Sequence, residues 1–139
     1  MNAVGSRRYR AAKIILIGRD HNQTVEKRFQ AAGCEVVRAL DGAVALEIAR
    51  HRLFDMAVLS AKGSLINTAE IVFNLRDLNQ SMEVIILVER GAKNPDRYLQ
   101  QWLDHPIEGT DIMTRRQLQK QLRASNEQRK GGSMSTKSR

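Results

Sequence analysis

The chain has 139 residues, 42% of them hydrophobic and 27% charged, with a formal net charge of +8, a composition that suits one soluble globular domain with a sizeable core. A single cysteine, Cys34, excludes an internal disulfide and a cysteine-built zinc cluster, and no apolar run approaches the roughly 18 residues of a membrane span. The basic start is not followed by a signal-type apolar segment, so a cytoplasmic setting and no membrane partner are expected.

Residues 1–11 read as a flexible basic arm. Ile14 to Ile17 is a short β-branched run ending at Gly18, the pattern of a strand buried on both faces. Val25, Phe29 and Ala32 then recur at helical spacing, with Gly33 as the stop. Glu35 to Ala39 is a second strand. Asp41 is placed to cap a helix in which Val44, Ala45, Ile48 and Ala49 form one stripe. Met56 to Leu59 is a third buried strand, followed by a loop over 61–64 and a helix capped by Asn67 or Thr68. Val84 to Val88 is a fourth strand. Asn94-Pro95 opens a helix carrying Tyr98, Leu99 and Trp102. Thr110 is expected to cap a last helix reaching Arg123, and residues 124–139, rich in Ser, Gly, Lys and Arg, a disordered basic tail. Cys34, inside an apolar run, is expected to be a buried structural thiol.

Charge is concentrated at the ends. Residues 1–13 hold Arg7, Arg8, Arg10 and Lys13 and no acid, and residues 115–139 hold eight basic residues against Glu127 alone. The middle is net acidic, so the high isoelectric point belongs to the termini. Nucleic acid is a partner class open to those termini through salt-sensitive phosphate contacts, although no helix-turn-helix, zinc finger or basic zipper is present. A solubilising tail is the plainer reading.

Strands alternating with helices imply βαβ units, a parallel sheet with helices on both faces, and a working site beyond the carboxyl ends of the strands. The order of pieces over residues 12–123 resembles the response-regulator receiver domain. Lys13-Ile14-Ile15-Leu16-Ile17 is similar to its first strand. Gly33-Cys34-Glu35-Val36 with Ala39-Leu40-Asp41-Gly42-Ala43-Val44-Ala45-Leu46 is similar to its second strand and following helix. Phe54-Asp55-Met56-Ala57-Val58-Leu59 is similar to its third strand, and His105-Pro106-Ile107 to its Lys-Pro step. The resemblance implies a flavodoxin-like three-layer α/β/α sandwich with strand order 2-1-3-4-5. The chain between Val88 and His105 is about five residues short of that pattern, so the fifth strand is expected to be short or degenerate, a stub near 103–105.

The departures from that pattern fall on its chemistry. The resemblance implies two Mg²⁺-holding acids where Gly18 and Arg19 stand, with Asp20 one step late. It implies a phospho-acceptor aspartate at Ser60, a phosphate-sensing hydroxyl at Val88 and a lysine at His105. A serine cannot form an acyl phosphate, and Mg²⁺ prefers hard carboxylate oxygens. Arg19, paired with Asp20 or Glu89, would replace the ion's charge; a solvated arginine is the alternative. No Gly-x-Ser-x-Gly elbow supports Ser60 as a nucleophile, and His21, His51 and His105 lack metal-ligand spacing.

The expectation is a pseudo-receiver of two-component or phosphorelay signalling. It would be non-enzymatic, without cofactor or metal, and would act on a protein partner as a monomer or weak homodimer. Tyr98, Trp102 and Met113 are its candidate contact residues. The alternatives are a phosphate-accepting receiver with shifted acidic ligands, and a nucleic-acid-associated regulator using its basic ends.

Overall fold

Strands with apolar side chains at consecutive positions must bury both faces, and that requirement organises this molecule. The computed structural model describes residues 9, 11–18, 23–60, 65–88 and 109–124, with side chains left undescribed at 65–67. Its elements run β1 (Lys13–Ile17), α1 (Gln23–Ala31), β2 (Glu35–Ala39), α2 (Gly42–His51), β3 (Met56–Ser60), α3 (Leu65–Leu78), β4 (Glu83–Val88), β5 (Thr110–Thr114) and a helix over 115–124, here α4. The five strands form one sheet in the order β2-β1-β3-β4-β5, and every pairing is parallel.

Side chains alternate across the sheet with period two. Ile14, Leu16, Met56, Val58, Ile85 and Leu87 enter one core with Val25 and Phe29 of α1 and Leu118 and Leu122 of α4. Ile15, Ile17, Ala57, Leu59, Val84 and Ile86 enter the other with Ala45 and Ala49 of α2 and Val72 and Leu75 of α3. The result is the three-layer α/β/α arrangement, with β1, β3 and β4 central and β2 and β5 at the edges.

Local chemistry sets the element ends. Asp41 caps α2, its carboxylate accepting the Val44 N–H at 2.9 Å. Gly33, at φ +88°, closes α1: the Cys34 N–H reaches the Phe29 carbonyl at 3.0 Å and the Gly33 N–H the Gln30 carbonyl at 2.9 Å, the paired bonds of a left-handed helix cap. That cap turns Cys34 inward, where it is buried and its thiol donates to the Tyr9 carbonyl. Arg76 of α3 donates to the carbonyls of Met82, at 2.9 Å, and Gln80, at 3.2 Å, which fixes the turn into β4.

Four expectations are corrected. Tyr9 is not part of a loose arm. Its ring is fully buried, packs edge-on to Phe29 with centroids 5.9 Å apart, and its hydroxyl donates to the Gln121 side-chain oxygen of α4. Asn67 and Thr68 do not cap α3, which already begins at Leu65. The fifth strand is neither a stub nor near 103–105: it is Thr110–Thr114, five residues like β1, β2 and β3. Thr110 therefore starts a strand, and the last helix is capped by Thr114 instead. The Thr114 hydroxyl accepts the Gln117 N–H at 3.1 Å, while the Gln117 amide oxygen accepts the Thr114 N–H at 2.8 Å. This reciprocal capping box lets β5 pass into α4 without a loop.

Candidate functional site

A parallel sheet brings the carboxyl ends of all its strands to one edge, and the candidate site lies there. Ile17 is in register with Leu59 and with Ala39, so Gly18 and Ser60 come next on adjacent strands, about 5 Å apart at the usual strand spacing. Ser60 is in register with Leu87, and Val88 with Thr114. The described floor of this mouth is thus Gly18, Ser60, Val88 and Thr114. Gly18, Ser60 and Val88, expected at one mouth from the sequence, stand at the ends of adjacent strands β1, β3 and β4. Ser60 and Val88 are half-buried, and Val88 leans on the core shared with α2 and α3.

None of these four residues carries a carboxylate. The nearby Asp41 is engaged as the cap of α2. Gly18 has φ +121° and its N–H donates to the Ala39 carbonyl at 2.9 Å. Side chains with a Cβ rarely adopt that conformation, so the backbone at the first expected metal position has taken a course suited to glycine rather than aspartate. Among the described residues no cluster of three or more His, Cys, Asp or Glu could hold a metal ion. These groups do not fit Mg²⁺, which needs several hard oxygens in octahedral array.

The nearest acid along β3 is Asp55, and it sits at the wrong end. Its carboxylate accepts the Lys13 backbone N–H at 2.7 Å. Its own N–H donates to the Lys13 carbonyl at 2.8 Å, and its carbonyl accepts the Glu83 N–H at 3.0 Å. Asp55 thus ties β1, β3 and β4 together at their amino ends, a full strand length from Ser60. This clamp is not foreseen from the sequence, where its one signal is an acid just before a buried strand.

Arg19, Asp20, Glu89, Tyr98, Trp102 and His105 lie outside the described residues. His105 precedes β5 in the chain, however, and the residue that closes β5 beside Val88 is Thr114. The corner assigned to the Lys-Pro step therefore belongs to Thr114 and the start of α4. Met113, expected on a partner-binding surface, is 7% exposed and belongs to the core with Leu87 and Leu118. Asp111 shares its face of β5 but is exposed, whereas Met113 lies in the core with Leu118 and Leu122 of α4.

No protein-family model matches the chain, and no curated protein is significantly similar to it in sequence. Solved structures are similar in shape. A CheY-like response regulator receiver domain protein from Methanospirillum hungatei superposes with a TM-score of 0.62 at 15% identity, over 87% of this chain and 98% of that one. The fold is that of a response-regulator receiver domain. The chemotaxis response regulator CheY4 of Vibrio cholerae gives a TM-score of 0.61 at 19% identity, over 84% and 97% of the two chains. The receiver domain of the Pseudomonas aeruginosa sensor histidine kinase PA1611, with a magnesium ion coordinated in its active site cleft, gives 0.57 at 18%, over 81% and 98%. The shared feature is the scaffold. At the described positions of the mouth this chain presents glycine, serine, valine and threonine.

Among the described residues no helix is long and apolar enough to cross a membrane.

Proposed function

We propose that this chain is a receiver-like module of two-component or phosphorelay signalling that works by protein contact and not by aspartyl phosphate. The observation that carries the reading is the mouth itself. The residue closing β3 is Ser60, Gly18 beside it follows a left-handed course, and Asp55, the acid just before β3, is committed to the far end of the sheet. A receiver phosphate acts by biasing two conformations, and a group can shift that balance only through differential affinity for the two states. With no acceptor at Ser60, a partner protein supplies that difference. The module is non-enzymatic and cytoplasmic, a monomer or weak homodimer, and Tyr98 and Trp102 remain its proposed contact residues.

The rival reading, a receiver with shifted acids, needs Asp20 to bind Mg²⁺ and a carboxylate near it to take the phosphate. A titration of the ¹⁵N-labelled chain with beryllofluoride and Mg²⁺ separates the two. The proposal expects the amide signals of Gly18, Ser60 and Val88 to stay in place. Saturable shifts gathered at those three residues would establish the rival.

A further inference from the structure

We infer that the exposed face of α4 is a docking surface for the phosphate backbone of a nucleic acid. This goes beyond the signalling proposal and does not depend on it. The helix over 115–124 contains Arg115, Arg116, Lys120 and Arg123 and no acidic residue. Its apolar positions, Leu118 and Leu122, are fully buried against the sheet. Arg116, Lys120 and Arg123 are all exposed, and their spacing of four and three places them on one face. Among the described residues none of these three side chains has an ion-pair or hydrogen-bond partner. By contrast, Arg38, Arg50 and Arg52 each pair with a glutamate, at 3.4, 3.2 and 3.0 Å.

The geometry of the stripe suits a phosphate chain. Seven residues of helix rise about 10 Å, close to three phosphates along one strand at roughly 3.4 Å each. The exposed residues between the cations include Gln117 and Gln121, whose amide oxygens accept from Thr114 and Tyr9 and whose NH2 groups are donors suited to phosphate oxygens. Arg116 stands in the first turn, where it adds to the positive end of the helix dipole instead of cancelling it. A bilayer surface is a poorer fit, because an interfacial helix exposes bulky apolar residues beside its cations, and both leucines of α4 face inward. The fold also ties Tyr9 to this helix. Tyr9 donates to Gln121, and the chain neighbours of Tyr9 are Arg8 and Arg10.

The test measures binding of the full chain to a fluorescent duplex DNA and to a single-stranded RNA of the same length, between about 50 and 200 mM salt. The single variants R116Q, K120Q and R123Q are compared with R50Q, which removes one charge from α2 in the opposite layer. Circular dichroism melting checks that all remain folded. Each α4 variant should lower the slope of log K against log salt by about 1. The triple variant should weaken binding about tenfold or more at low salt, and R50Q should leave the slope unchanged. The nucleic acid bound more tightly at the upper end of that salt range identifies the preferred source of the phosphates, since the slope per contact differs between duplex and single strand. The proposal is overturned if neither nucleic acid binds, or if the triple variant binds as the parent does. It is equally overturned if R50Q matches the α4 variants, or if polyglutamate binds as tightly as the nucleic acids, which would make the partner an acidic protein.

Discussion

The Asp55 carboxylate accepts a hydrogen bond from the Lys13 backbone N–H at 2.7 Å, and the Lys13 carbonyl accepts one from the Asp55 N–H at 2.8 Å. This ring joins the amino ends of β1 and β3, the two strands whose carboxyl ends present Gly18 and Ser60. The acid that precedes β3 is therefore part of the sheet's foundation and stands apart from the mouth. Replacing it should act on stability alone. Asp55→Ala loses one charge-assisted bond at a solvent-exposed position, a cost of about 1 to 2 kcal/mol. Urea denaturation would register this as a lower midpoint with an unchanged slope.

Tyr9 offers a sharper contrast. A tyrosine in a loose arm is dispensable, whereas a ring buried on Phe29 and bonded to Gln121 is a core residue. Tyr9→Ala should cost about 3 to 5 kcal/mol, in the range of large aromatic truncations, and Tyr9→Phe about 1 kcal/mol for the lost hydroxyl bond. Because Cys34 lies beneath the same residue, its labelling by a thiol reagent should be slow in the native chain. Labelling should accelerate markedly in Tyr9→Ala.

At the mouth, Gly18 distinguishes a displaced site from a dormant one. Its φ of +121° means that restoring an aspartate there forces an unfavourable backbone region, at about 1 to 3 kcal/mol. Gly18→Asp should lower the thermal midpoint. Isothermal titration with MgCl₂ should detect no new binding, even when Ser60→Asp is added.

Much of the scaffold was legible in the sequence because its central strands are buried on both faces. Ile14 to Ile17, Met56 to Leu59 and Val84 to Val88 each write continuous apolar runs, and Asp41 and Gly33 announce the helix ends they form. β5 was not legible, for a physical reason. An edge strand has one hydrogen-bonded neighbour and is only half covered, so Thr110-Asp111-Ile112-Met113-Thr114 needs just two apolar residues. Two such residues carry no clear period, and the polar start of the strand imitates a helix cap. The informative signal was the Thr114-x-x-Gln117 spacing.

Misplacing β5 also misdirected the site. The corner expected at His105 is closed by Thr114, and Met113, expected at the surface, is buried in the core with Leu118 and Leu122 of α4. Ser60 escaped this error because its position follows from counting along a strand that was unambiguous. Tyr9 was hidden by its neighbours: an aromatic set among arginines reads as part of a solvated arm until a helix closes over it.

The capping box that joins β5 to α4 is open to a direct check. Thr114→Ala should cost about 1 kcal/mol by urea denaturation, and Thr114→Ser should recover most of it, since serine supplies the same hydroxyl oxygen. An equal loss in both variants would show that the threonine methyl, and not the hydroxyl, carries the effect.

The central claim is that this scaffold signals without accepting phosphate. Its most direct test is the intact mass of the full chain after incubation with a small-molecule phosphodonor and Mg²⁺, quenched without exposure to strong base. The account predicts an unmodified chain throughout the time course. A phosphoryl adduct mapped by peptide mass spectrometry to Asp20, or to any carboxylate beside Ser60, would contradict it.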